Sequence, residues 1–176
     1  MSLPAAWLFC SLALGAEPTV AQLKDHKVSG VVVVAAAVEQ VRAVLSDPRN
    51  IARIDNNGTS VELLDDSGRC QTVRTTVQNP IASIVYDAEV CPIDSGWRTR
   101  LLRSDDLEAF ESTWRVQARS DGQTRVQYEV RTIPDLPIPQ LIVDRATRSS
   151  VHSMLVKLRD HMEGQAEAGR PTSVPR

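Results

Sequence analysis

The chain has 176 residues, 42% of them apolar and 24% charged, the profile of one globular domain rather than of a disordered, fibrous or coiled-coil chain. Folding at this size removes roughly 70% of the unfolded surface from water, so a core forms without help from metals or several disulfides. Lys and Arg number 20 against 22 Asp and Glu, a net charge of −2 with no basic stripe, and nucleic acid is excluded as an expected partner.

The first element is an uncharged apolar run of 12 residues, Leu3 to Leu14, followed by Gly15-Ala16-Glu17-Pro18. It is well short of the ~20 residues a membrane-spanning helix needs, and it reads as the apolar region of a signal peptide over residues 1–16. Small residues at Ala13, Gly15 and Ala16 suit a signal peptidase, with a second site after Ala21. Bulky Phe9 before Cys10 argues against a lipid anchor. The expectation is a periplasmic or secreted monomer with no stable membrane anchor.

The folded domain is expected over residues 24–163. Val31 to Val34 is a β-branched run without alternation, the pattern of a strand buried on both faces, and it opens the domain. Ala37 to Ser46 has helical spacing, with Val38, Val41 and Leu45 on one stripe, and Asp47-Pro48 ends it. A short helical turn follows from Asn50 to Ile54. From Ser60 the period changes to two, giving five or six strands punctuated by Asp66-Ser67-Gly68, Asn79-Pro80, Asp94-Ser95-Gly96, Asp105-Asp106 and Asp121-Gly122. After Pro134 to Pro139 a long helix runs to Glu163, with Val143, Ala146, Val151, Met154, Leu155, Leu158 and Met162 as its apolar stripe. Residues 164–176, rich in Gly, Pro, Ser and Thr, read as a disordered tail.

Parity fixes two hairpins. Phe110, Ser112, Trp114 and Val116 share one face of their strand, and Val126, Tyr128 and Val130 share one face of the next. A two-residue turn would put these sets on opposite faces. A three-residue Ser120-Asp121-Gly122 loop with a left-handed Gly122 sets Trp114 opposite Tyr128. In the earlier hairpin, a centre between Pro80 and Ile81 sets Arg74 against Asp87, Val77 against Ile84 and Cys70 against Cys91. Opposed cysteines in an oxidising compartment point to a Cys70–Cys91 disulfide. Tyr86, Phe110, Trp114 and Tyr128 then all point inward, and Trp97 is left near a turn.

The order of elements, with its residues, resembles the START / polyketide-cyclase-like (SRPBCC) superfamily. Val41-x-x-x-Leu45-x-Asp47-Pro48-x-Asn50-Ile51 is similar to that superfamily's first helix and following turn. Gly122-x-Thr124-Arg125-Val126-x-Tyr128-Glu129-Val130 is similar to its last hairpin, and Pro137-Ile138-Pro139 stands before its long helix. The resemblance covers Lys27 to Glu163. It implies an α+β helix-grip fold: a curved antiparallel sheet of six to seven strands wrapped around a long C-terminal helix, with two short helices after the first strand. Members mostly bind lipids, sterols, quinones or polyketides between sheet and helix, and a minority are cyclases, dehydratases or hydrolases. Arg42 stands where many members carry an aromatic residue, which implies a more polar mouth.

Catalytic constellations are sparse. His26, His152 and His161 have no metal-ligand spacing, and there is no Gly-rich phosphate loop, Cys-His pairing or Gly-x-Ser-x-Gly turn. No cofactor, metal or catalytic residue is assigned. Glu111, Glu129 and Asp87 fall on the outer face, leaving Tyr86 and Tyr128 as the titratable groups inside. Because Ser112, Thr132, Ala146 and Ser150 are small, the inner aromatics are expected to bound a cavity rather than fill it. Tyr86, Phe110, Ser112, Trp114, Tyr128, Val143, Ala146, Val151 and Met154 are the expected binding residues for a small apolar ligand, held without covalent chemistry. The alternatives are a cofactor-independent cyclase or dehydratase using a cavity tyrosine, and an envelope interaction module with a filled core.

Overall fold

The computed structural model describes residues 16–78 and 83–168. Eight antiparallel strands form one sheet: β1 (Thr19–Gln22), β2 (Lys27–Val34), β3 (Thr59–Asp65), β4 (Gln71–Gln78), β5 (Ser83–Ile93), β6 (Gly96–Ser104), β7 (Leu107–Ala118) and β8 (Thr124–Pro134). Their spatial order is β1-β2-β8-β7-β6-β5-β4-β3. Helices α1 (Val38–Leu45) and α2 (Pro48–Asp55) follow β2, and α3 (Gln140–Ala168) lies on the inner face of the sheet. This is the α+β helix-grip arrangement, with eight strands rather than six or seven.

The extra strand is β1. Its four residues pair with β2 from Thr19↔Val31 to Gln22↔Val28, so the folded unit begins upstream of Lys24. Nothing in TVAQ has strand periodicity; only the unpaired edge of β2 makes it a strand. The Val31–Val34 run is not buried on both faces. Val28, Gly30, Val32 and Val34 are buried inward, while Val31 and Val33 are half-buried on the outer face beside Gln127 and Arg125. The β-branched run therefore reflects strand propensity. Asp47-Pro48 both ends α1 and begins α2. The Asp47 side chain accepts the Arg49 N–H at 2.9 Å, and Pro48 occupies the first helical position. A full eight-residue helix stands where a turn from Asn50 to Ile54 was expected.

Both hairpin registers agree with parity. Trp114 faces Tyr128 across β7 and β8, and the Arg119 N–H donates to the Gln123 carbonyl at 2.9 Å around a Gly122 with φ of 79°. Arg74 faces Asp87 and Val77 faces Ile84 across β4 and β5. The same register carries the Cys70–Cys91 disulfide, with a Cα–Cα distance of 4.3 Å. The turn itself, residues 79–82, lies outside the described residues.

The main core joins Val151, Met154, Leu155, Leu158 and Met162 of α3 to Val28, Val32, Val34, Val116, Val126 and Val130 of the sheet. Gly30 makes this seating possible. A Cβ there would stand 2.6 Å from Leu155 Cδ1 and 2.7 Å from Val151 Cγ1. A smaller cluster of Val73, Ala88 and Val90 supports the far end of the sheet. The long helix continues through Gly164 to Ala168, past the expected end at Glu163. The remaining tail and the apolar leader, residues 1–15, lie outside the described residues. No helix among the described residues is long and apolar enough to cross a membrane.

Candidate ligand cavity

Where α3 passes over the middle strands, its side chains become small and polar, and space is left beneath it. An inner chamber of about 270 Å³ is bounded by Leu45, Pro48, Ile51 and Ala52 from the short helices, Val73, Val90, Phe110 and Val130 from the strands, and Val151 and Met154 from α3. An outer chamber of about 490 Å³ is bounded by Ile84, Pro134, Leu136, Ile138, Ile142, Val143 and Ala146. Asp55, Thr59, Val77, Thr132, Thr147 and Ser150 border both, so the chambers meet along one throat.

The nine residues expected at the site divide between the two. Tyr86, Phe110, Ser112, Trp114, Tyr128, Val151 and Met154 line the inner chamber, while Val143 and Ala146 line the outer one. Trp97 lies near the turn at residues 94–95, as expected, and it also faces Trp114 across β6 and β7 and joins the inner wall. Arg42 does not make the mouth polar, because its guanidinium donates to the Val116 carbonyl at 3.4 Å. The aromatics form two tilted pairs, Tyr86 with Phe110 at a centroid distance of 4.7 Å and Trp114 with Tyr128 at 4.2 Å.

Burial among these rings pushes Tyr128 up to about 12, against a lowering hydrogen bond with Ser112 and a further raising effect of the Asp55 charge. Burial also raises Tyr86, assisted by Tyr128 and opposed by a hydrogen bond with Thr75. Both phenols are protonated at neutral pH, so each can donate a hydrogen bond.

Asp55 is the titratable group that the sequence reading missed. It is the last residue of α2, its side chain is 13% exposed, and it borders both chambers. Lys157 of α3 holds it from the side. The ammonium lies 3.6 Å from the Asp55 carboxylate, donates to the Asp55 carbonyl, and donates to Asn57 Oδ1 at 2.9 Å. Ending the helix at Ile54 hid this residue. A helix capped by Asp47 and begun by Pro48 places Pro48, Ile51, Ala52 and Asp55 on one stripe, which is the signal that would have found it.

The histidines stay outside the chambers. His26 lies 3.0 Å from Asp144, His152 lies 4.0 Å from Glu17, and His161 contacts Gln165 at 3.0 Å. Asp87 is held by Arg74 at 2.8 Å and Arg103 at 3.1 Å, and Glu129 by Arg115 at 3.2 Å, all on the outer face. The hydrogen bond from Arg74 leads the causes that keep the Asp87 carboxyl below its usual range. The one group of three metal-capable side chains among the described residues is Cys70, Glu89 and Cys91, whose two sulfurs are bonded to each other.

An antiparallel sheet closed by one long helix over an apolar cavity is the arrangement of the family described as polyketide cyclase / dehydrase and lipid transport, which matches residues 25–163. The chain belongs to this family. Its fold is shared with a START superfamily protein from Mycobacterium smegmatis, at 20% identity and a TM-score of 0.69 over 79% of this chain and 98% of that one. The Zhui aromatase/cyclase from Streptomyces sp. R1128 is similar at 17% identity and a TM-score of 0.70, over 82% of this chain and 98% of that one. Human StAR-related lipid transfer protein 5 is similar at 12% identity and a TM-score of 0.69, over 85% of this chain and 82% of that one. No curated protein sequence matches the chain significantly. The protein thus has the START/polyketide-cyclase-like fold.

Proposed function

We propose that this family member binds one small amphipathic molecule, of the lipid, sterol, quinone or polyketide class, between sheet and helix and carries it without covalent chemistry. The observation that supports this most is the pair of connected, mainly apolar chambers, which share hydroxyls and the Asp55 carboxylate where they meet. Burying a few hundred Å² of ligand surface at about 25 cal/mol per Å² suffices for micromolar affinity after association costs. The ligand's apolar body faces Phe110, Trp114 and Met154, and its polar atom accepts from the protonated Tyr128 or Tyr86, or donates to Asp55. Tyr86, Phe110, Ser112, Trp114, Tyr128, Val143, Ala146, Val151 and Met154 are the proposed contacts.

The protein is proposed to act as an exported monomer, since the disulfide suits an oxidising compartment. Removal of residues 1–16 would leave Glu17 at the new terminus, 3.5 Å from Arg159. Cleavage after Ala21 would instead cut within β1.

A second reading, a cofactor-independent cyclase or dehydratase, draws support from Asp55 and two protonated phenols around one cavity, a base and two acids within reach of one substrate. A filled-core interaction module is not favoured by a molecule with two chambers. Native mass spectrometry of protein purified from its own host, followed by incubation with the extracted molecule, separates the first two. A carrier returns its ligand unchanged in mass and in chromatographic retention, a dehydratase returns it short of one water, and a cyclase returns an isomer of equal mass and different retention. Ala146→Trp tests the site itself. Ala146 is exposed and borders the outer chamber, so the variant should fold normally and bind Nile red at least about tenfold more weakly. Wild-type binding by that variant would reject the cavity as the site.

A further inference from the structure

On the face of the sheet opposite α3 there is a recess of about 280 Å³, lined by Arg69, Cys70, Glu89, Cys91, Arg98 and Arg100. The disulfide is part of its wall, and both cysteines are only half-buried. Three guanidinium groups against the single Glu89 carboxylate leave an excess of two positive charges. Elsewhere on this face Arg74 and Arg103 pair with Asp87, Arg115 with Glu129 and Arg119 with Asp121, while Arg125 and Arg131 donate to Gln127 and to the Asp25 carbonyl. Those around the disulfide have no ion pair among the described residues, and Arg98 Nε is buried without a hydrogen-bond partner. Arg98 stands opposite Cys91 in the β5–β6 ladder, and Arg100 stands opposite Glu89. A reachable disulfide beside unpaired guanidinium groups suits an incoming group that carries both a thiolate and a second negative charge.

We propose that the Cys70–Cys91 disulfide is an exchange site selective for anionic low-molecular-weight thiols, those bearing a carboxylate or sulfonate. The thiol enters as its thiolate, its proton having gone to solvent, and Arg69 and Arg100 hold its acidic group. Its sulfur bonds to Cys70 Sγ, the Cys70–Cys91 bond breaks, and the electron pair leaves on Cys91 Sγ opposite Arg98. A second thiolate then attacks the small-molecule sulfur of this mixed disulfide and releases Cys70 as a thiolate. Two thiols have been oxidised to one small disulfide, the protein disulfide has been reduced, and the cysteine thiolates take protons from solvent.

The test is the rate of disulfide opening in the intact folded protein with three thiols of different charge: mercaptoethanesulfonate, mercaptoethanol and cysteamine. Rates are followed by mass after alkylation and corrected for thiolate fraction and intrinsic nucleophilicity. At low salt the sulfonate should react about tenfold faster than the neutral thiol and cysteamine more slowly, with the spread closing at high salt. Arg98→Gln/Arg100→Gln should abolish the spread, and Glu89→Gln should widen it. Because Arg98 is half-buried, Arg100→Gln alone, at an exposed position, provides a variant that keeps the fold and should still narrow the spread severalfold. Rates blind to thiol charge, a spread unchanged in Arg100→Gln, or two free thiols in the purified protein would overturn the proposal.

Discussion

The two halves of α3 do different jobs. From Leu155 onward its inward residues are sealed: Leu155 and Leu158 are 0% exposed and Met162 is 2% exposed, against the valines of β2, β7 and β8. Before Val151 the same helix carries Leu141 at 80% exposure, Ile142 at 58%, and small Ala146, Thr147 and Ser150 toward the chambers. The C-terminal half fixes the helix to the sheet, and the N-terminal half roofs a space. A cavity survives in this fold because its support is displaced along the helix from its opening. The roof is then free to carry side chains too small to fill the volume beneath, a freedom the sealed half lacks.

The sharpest test of this division is one substitution in each half. Leu158→Ala should cost about 2–5 kcal/mol of unfolding free energy, the range for truncating a fully buried leucine. Ser150→Leu should change stability by no more than about 0.5 kcal/mol, since the position is exposed and leucine suits a helix, yet it should weaken Nile red binding because Ser150 borders both chambers. Denaturant midpoints and probe titration on the same two proteins read both quantities. Similar stability losses in the two variants would mean that the roof is packed after all.

A smaller effect sharpens the boundary between the halves. Gly30 lies beneath Val151 and Leu155, where an added Cβ would approach their side-chain tips to 2.7 and 2.6 Å. Leu155 belongs to the sealed half and Val151 stands at its border with the inner chamber, and both are buried with little room to move. Gly30→Ala should therefore cost about 1–3 kcal/mol, the usual penalty of overpacking. Equilibrium unfolding checks it, and a neutral result would show that α3 can lift from β2 without loss.

Sequence patterning reached the sealed half more readily than the roof. Trp114 opposite Tyr128 and Cys70 opposite Cys91 were legible because strand alternation is binary and one turn residue, Gly122, excludes the competing register. The stripe from Val151 to Met162 was legible for the same reason: burial on one side leaves a period. The edge strand and Asp55 were not. β1 exists only because β2 offers an unpaired edge, which no local pattern records. Asp55 reads in sequence as an ordinary helix-end acid unless α2 is begun at Pro48, and the cavity it borders depends on how α2 packs against α3. The Val31–Val34 run misled in the opposite direction, since β propensity and two-sided burial leave the same mark on a short segment.

The last test concerns how dry the space under the roof is. The protein has two tyrosines, both lining the inner chamber, so tyrosinate absorbance reports on that chamber alone. Tyr128 is raised from 10.0 to about 12, chiefly by burial, and Tyr86 is raised as well. A group whose folded value lies above its unfolded one contributes no pH dependence below the unfolded value, and stability is lost as pH climbs through the folded one. Here the unfolded phenols release protons first, so the tyrosine contribution to unfolding free energy should be flat up to pH 10 and fall between 10 and about 12. In the native protein tyrosinate should appear well above pH 10, and in urea near its ordinary value. A bound apolar ligand, which excludes water from the same walls, should delay native ionisation further. Native tyrosines that titrate at their unfolded value would mean that the inner chamber is filled with water. The contrast between a sealed half and a roofed half would then hold for packing but not for polarity.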